Sequence, residues 1–396
     1  MPLATPNPAD LPLPSAELLA HSACLESRIR ARIDAAGGCL PFDRFMEMVL
    51  YEPGLGYYVS GLRKFGAAGD FITAPETSTL FGACLARQYQ PILSRIHGAD
   101  ILEFGAGSGA LAAQTLAELE RLGSLPDRYL ILDISPELRS RQRATLEKQV
   151  PHLSSRVDWL DRLPEPGFRG IAVANELLDA MPVHRFRITD RGLAEICVTA
   201  DEQGLRCTTT EPGPDLAGAV QTLRQHCAPL APDYESEINL RLPPWLANLG
   251  SILEQGLILL IDYGYPCQEY YHPQRDRGTL MCHYRHRAHD DPLRLIGLQD
   301  ITAQVDFSAA ARAGTGAGLE LAGYTTQAHF LLGCGLDKLV ADSDPNDLAR
   351  HLALMQEVKR LTLPSEMGER FKVLGLTRNI AFPLQGFALN DLRNRL

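Results

Sequence analysis

Apolar residues recur at helical spacing through the first hundred positions and then gather into short continuous runs. Leu18, Leu19, Leu25, Ile29 and Ile33 fall on one side of a helix that Ser15 is suited to cap and Gly37-Gly38 to stop. The proline-rich stretch before Ser15 reads as a loose arm. A second helix is predicted over 42–50, closed by the turn Glu52-Pro53-Gly54, and a third from about 76 to 94. Between them, 54–75 is rich in glycine and aromatic residues and lacks a period. It reads either as a functional loop or as an awkward connection.

From residue 99 the pattern becomes alternating strands and helices. Strands are predicted at 99–104, 129–133, 156–160, 170–174 and 257–262, and helices at 108–122 and 136–149. Pro136 stands in a first turn, where its missing N–H costs nothing. Nearly continuous apolar strands joined by helices indicate an α/β fold whose parallel sheet is covered on both faces. Residues 183–210 read instead as antiparallel β structure, turning at 190–192 and 201–204, and a helical stretch follows to about 254. Residues 263–298 are irregular. A closing strand–helix–strand is expected from 300–305, 307–313 and 324–332.

Composition narrows the classes. The chain has 396 residues, 45% hydrophobic and 22% charged, with a net charge of -10. That is globular composition, and it offers no global attraction to nucleic acid or anionic membrane. The nine cysteines are scattered with no C-x-x-C pair, which argues against a disulfide framework or zinc site and for a reducing compartment. No Lys or Arg precedes Arg28, and the longest apolar run, 256–261, is far too short to span a bilayer, so a cytoplasmic protein is expected.

The strongest local signal is Leu102-Glu103-Phe104-Gly105-Ala106-Gly107-Ser108-Gly109-Ala110-Leu111 at a strand-to-helix junction. Glycines permit a tight turn and close backbone approach, and the following helix offers free N–H groups. The turn reads as a nucleotide-like cofactor site or as a plain tight turn. Glu103, two places before Gly105, suits a cationic amino-acid moiety and would gain a pyrophosphate nothing. Asp133 ends the next strand, where it either accepts ribose hydroxyls or caps the turn beside Ser135. Together these favour S-adenosylmethionine over NAD. Asn175, Glu176 and Asp179 follow the fourth strand, where the crevice of an open α/β sheet lies, and Asn175 with Glu176 alternatively cap a helix. Ser108 sits in the cofactor turn rather than a hydrolase elbow. His272, His283, His286 and His289 lack cysteine partners at ligand spacing, so no metal is expected. The segment 272–294, with five Arg and four His against three Asp, reads as a solvated loop or as a contact for an acidic partner.

An ordered set of motifs then resembles the MidA family of S-adenosylmethionine-dependent methyltransferases, which includes a mitochondrial complex I assembly factor that methylates an arginine. The set comprises 45–58, Gly69-Asp70-Phe71-Ile72-Thr73-Ala74-Pro75-Glu76, Phe81-Gly82, the 102–111 turn, 175–182, Ile261-Asp262-Tyr263-Gly264, Gly278-Thr279-Leu280, 299–302, 305–307, Thr326-Gln327 and 371–374. The resemblance implies a Rossmann-like class I methyltransferase with a mostly parallel seven-stranded sheet. An N-terminal helical or lid region over 1–95 would precede a methyltransferase domain over 96–396, with insertions near 183–255 and 263–298. Gly105, Ala106, Gly107 and Gly109 would line the methionine side, Asp133 with Ile134 the ribose and adenine, and Trp159 with Leu160 would flank adenine. Gly69, Asp70, Phe71 and Thr73 would close over the cofactor. Glu176 and Asp179, with Asn175 orienting, are the candidates for holding a guanidinium. A protein substrate, by analogy a respiratory-complex subunit, is expected, with no nucleic acid and no membrane insertion. A small-molecule acceptor, a non-catalytic assembly role and a homodimer stay open.

Overall fold

The computed structural model describes residues 11–61, 73–227, 230–342 and 347–396, and the chain divides into two units. One unit comprises 72–178, 245–264 and 307–396. Its seven strands are β1 (Asp100–Phe104), β2 (Tyr129–Leu132), β3 (Val157–Leu160), β4 (Phe168–Asn175), β5 (Leu253–Tyr265), β6 (Glu320–Thr326) and β7 (Phe371–Arg378). They lie in the order β6-β7-β5-β4-β1-β2-β3. From β3 across to β5 all neighbours are parallel, whereas β7 is antiparallel to both β5 and β6. The sheet is therefore mixed, coarser in its parallel character than expected. All five positions of β1 are buried, as the apolar run predicts for a strand covered on both faces.

Two predicted elements change shape. Ser78 adopts an extended backbone and its side chain accepts from the Leu80 N–H, which splits the helix expected over 76–94 into Ala74–Thr77 and Thr79–Leu93. Helix Thr79–Leu93 packs on helix Ala110–Arg121, and both lie in this unit. The strand expected over 324–332 is β6, which Thr326 ends by capping helix Gln327–Gly333 through the His329 N–H.

The other unit comprises 1–71, 179–244 and 265–306. The Ser15-capped helix runs Ala16–Ala35 and buries Leu25, Ile29 and Ile33. Strands His184–Thr189, Gly192–Asp201 and Gly204–Thr210 form the expected antiparallel array, joined by Leu40–Pro41 and by Glu235–Ile238, a strand inside the stretch expected to be helical. The irregular region contains a small sheet of Met281–Tyr284, Arg287–His289 and Asp300–Thr302, so 300–302 belongs to that sheet and does not extend the large one. Helix Pro214–His226 buries Leu216, Val220 and Leu223 against Phe186 and Ile188 in a cluster that includes Cys267. That packing brings Cys227 and Cys267 together in a disulfide, a pairing their separation of 40 residues hid from the spacing argument. No helix among the described residues is long and apolar enough to cross a membrane.

Candidate active site

The glycine turn leaves β1 with Gly105, Gly107 and Gly109 all at positive φ (63°, 52° and 82°). Gly105 N–H still reaches Leu132 O at 3.0 Å, continuing the β1–β2 ladder, and Gly109 N–H closes the turn on Ala106 O at 2.7 Å. A Cβ on Gly109 would stand 2.9 Å from Gln142 Cα, so both backbone angle and space demand glycine there. Helix Ala110–Arg121 starts directly from the turn, presenting N-terminal N–H groups suited to an amino-acid carboxylate. Ala106 is buried in the bend.

Glu103 is buried on β1 and accepts the Tyr129 hydroxyl at 2.6 Å. Burial is the main cause that raises its carboxyl to about 7, with the Asp133 charge adding and the Tyr129 bond opposing. At the end of β2, Asp133 Oδ1 accepts the Ser135 N–H at 2.9 Å and Oδ2 accepts Gln142 Nε2 at 2.8 Å. The turn-capping and pocket-facing readings of Asp133 are thus compatible, because each carboxylate oxygen can accept more than one bond. Ile134 beside it is 62% exposed, an apolar side chain presented to solvent. Trp159, ending β3, donates from Nε1 to Gln142 Oε1 at 2.9 Å, and the Arg143 guanidinium lies 4.3 Å from its ring centre. Leu160 O and Asp133 O both accept from Arg139.

Gln142 and Arg139 are the residues that the sequence reading missed. The signal was present: Leu138, Gln142 and Leu146 form the buried stripe of helix Pro136–Gln149, and a glutamine in an apolar stripe asks what its amide binds.

A second cluster lies at the end of β4. Asn175 pairs with Ile261 on β5, and the Glu176 N–H donates to Ile261 O at 2.9 Å. Glu176 then takes φ +51°, a left-handed conformation that a non-glycine residue adopts at a cost of roughly 1 kcal/mol or more. Its Oε1 accepts the Ala74 N–H at 3.4 Å and Asn175 Nδ2 at 3.3 Å, both long bonds. Asn175 Oδ1 is enclosed without a hydrogen-bond partner. Fully buried Asp262, next in line on β5, accepts the Leu178 N–H at 2.8 Å and the Leu177 N–H at 3.2 Å on Oδ2 and the Tyr263 N–H at 2.8 Å on Oδ1. Burial first, then the Asp262 charge, pushes the Glu176 carboxyl up to about 8. Thr73 caps helix Ala74–Thr77 with its carbonyl, which accepts from Glu76 and Thr77.

Asn175 and Glu176 are therefore joined by Asp262, whose position only the register of β5 reveals. Asp179 belongs to the other unit, where it is buried, its carbonyl accepts the Ala303 N–H at 2.9 Å, and its charge helps raise the Tyr58 hydroxyl. Gly69, Asp70 and Phe71 lie outside the described residues. His283 is held well below the usual histidine range, at about 4, by burial and by His289.

The chain is similar to known proteins. The model of a family described as S-adenosyl-L-methionine-dependent methyltransferases matches residues 84–325. The mitochondrial protein arginine methyltransferase NDUFAF7 of Mus musculus is 31% identical over 374 residues, covering 86% of this chain and 81% of its own. The Homo sapiens protein of the same name is 28% identical over 86% of this chain and 80% of its own. A crystal structure from Burkholderia thailandensis, bound to S-adenosylhomocysteine, superposes with a TM-score of 0.93 at 44% identity, covering 98% of this chain and 100% of that one.

Proposed function

Because the chain belongs to this family of S-adenosylmethionine-dependent methyltransferases, and is one, we propose that its acceptor is an arginine side chain of a protein and that Glu176 receives the guanidinium. The bound cofactor supplies a methyl group activated on a sulfonium. The chain's own residues hold cofactor and acceptor in line and keep water out. In this reading Gly105, Ala106, Gly107 and Gly109 pass close to the amino-acid half. Glu103 supplies negative charge beneath it, and Asp133, Ile134, Trp159 and Leu160 frame the nucleoside, with Thr73 at the approach.

The observation that carries the acceptor assignment is Glu176 itself: a carboxylate on a strained backbone, loosely hydrogen-bonded and raised by burial and by the charge of buried Asp262. Two carboxylates side by side are unfavourable alone and become favourable when a cation arrives between or beside them. A guanidinium offers a planar fork of N–H donors that suits a carboxylate in paired bonds, and Asn175 Oδ1 is an acceptor awaiting a donor. Glu176, raised to about 8, is mostly protonated in the free enzyme at pH 7, and guanidinium binding drives that proton off. The ionised carboxylate then favours charge accumulating on the attacking nitrogen and stands by to take its proton. Relatives named as protein arginine methyltransferases support the same acceptor class.

Glu176→Gln tests this. It keeps the shape, removes the charge, and is expected to retain S-adenosylhomocysteine affinity while methylarginine formation in a protein substrate disappears. Undiminished methylarginine formation would remove Glu176 from the mechanism.

A further inference from the structure

Helix Pro136–Gln149 does more than cover the sheet. Its fully buried Gln142 spends its whole amide on three separate walls of the cofactor region. Nε2 donates to the Asp133 carboxylate at 2.8 Å and to the Gly107 carbonyl at 3.2 Å, while Oε1 accepts from the Trp159 indole at 2.9 Å. Two acceptors face the nitrogen and one donor faces the oxygen, so the amide has only one orientation that satisfies all three. The helix backbone at the same residue packs on the glycine turn, where Gln142 Cα and O lie 2.9 and 3.2 Å from the Cβ position of Gly109.

From this geometry we infer that Gln142 is a positioning residue for the cofactor: one amide sets the Asp133 carboxylate, the Gly107 bend and the Trp159 ring in register with one another. Arg139 also joins the β2 and β3 ends, through the Asp133 and Leu160 carbonyls, but among these contacts only the Gln142 side chain reaches the glycine turn as well. Asp133 needs a donor on its second oxygen to stand in one rotamer, and Gln142 supplies it. Trp159 needs an acceptor for its indole N–H, which fixes the edge of the ring while Arg143 covers a face. Preorganising three contacts with one group lowers the ordering cost of binding. Glutamate would keep the shape but set a second carboxylate against Asp133 unless protonated. The other charged groups near this point are Arg139 and Arg143 on the same helix and Glu103 on β1. The inference concerns the cofactor alone and does not depend on the identity of the acceptor.

The test titrates S-adenosylhomocysteine into the full chain by calorimetry, with ligand-free melting followed in parallel. Gln142→Leu is expected to weaken binding about 10- to 100-fold, as loss of several buried hydrogen bonds requires. Gln142→Glu adds a readout that a packing role would not move. At pH 6, protonated, its carboxyl keeps a donor for the Asp133 carboxylate and an acceptor for the Trp159 indole, losing only the longer bond to Gly107 O, and affinity should stay within a few-fold of wild type. By pH 8.5 it should fall by about 10-fold or more, while wild-type affinity stays nearly level. The inference is overturned if Gln142→Leu melts lower yet binds within about threefold of wild type, or if the pH profile of Gln142→Glu parallels that of wild type. Loss of the fold in both variants at pH 6 would also overturn it, because it would assign Gln142 to the core.

Discussion

The ends of β2 and β4 lie on the same sheet, yet they are built in opposite ways. At the β2 end, both Asp133 oxygens are engaged, Gln142 uses every polar atom it has, and Arg139 closes two carbonyls. At the β4 end, the Glu176 backbone is strained and its carboxylate holds only long hydrogen bonds, Asn175 Oδ1 has no partner, and the charge of buried Asp262 acts on Glu176. A satisfied network suits a surface that must recognise the same cofactor at every turnover without rearranging. An unsatisfied and electrostatically stressed cluster suits a surface that is completed by a cationic substrate. Under the proposed function, the first region binds the cofactor and the second does the acceptor chemistry.

The contrast breaks most visibly through substitutions that separate the two functions. Glu176→Gln should lower turnover by roughly 10³-fold or more while cofactor affinity changes less than about threefold, measured by product formation and calorimetry on one preparation. Asp133→Ala should do the reverse, weakening S-adenosylhomocysteine by about 10²-fold and leaving saturated turnover far less affected. If both substitutions moved the same parameter, the division of labour would be wrong.

The pH dependence is a smaller but sharper probe. Acceptor capture needs Glu176 ionised, and in the free enzyme that group titrates near 8. kcat/KM for the acceptor should therefore rise about tenfold per pH unit below 8 and level off above it. The same group acts on stability. Its folded value lies above its unfolded one, so its contribution is fully present below about 4.5 and is lost as pH rises through 8. Glu103, raised to about 7, acts in the same direction over a narrower window. Glu176→Gln should accordingly melt a few degrees above wild type at pH 9 and close to it at pH 5. A variant less stable than wild type at pH 9 would contradict the strained-carboxylate account.

Strands β1, β2 and β4 of the large sheet were legible because each is a largely apolar run in a two-sided sheet, and the glycine turn because its backbone angles admit little else. β7 was not recognised as a strand, since Lys372 and Gly375 interrupt its run and its partners β5 and β6 lie far away in sequence. The polar residues after β4 were visible as a group, but their split was not. Glu176 and Asp179 are three residues apart yet belong to different units, while Asp262 reaches Glu176 only through the pairing of Ile261 with Asn175. Leu138 and Leu146 flank Gln142 one turn to either side in an otherwise polar helix, while the three partners that give it meaning come from three other segments. Local pattern reveals elements. Chemistry assembled across strands needs the register.

The central claim is that the β4 end receives an arginine guanidinium while the β2 end holds the cofactor independently of it. The most direct test incubates wild type and Glu176→Gln with methyl-labelled S-adenosylmethionine and host lysate, hydrolyses the labelled material and identifies the labelled amino acid. The account predicts labelled methylarginine with wild type and none with Glu176→Gln, although both bind S-adenosylhomocysteine equally. Label in a small molecule or another side chain, or equal methylarginine from both proteins, would contradict it.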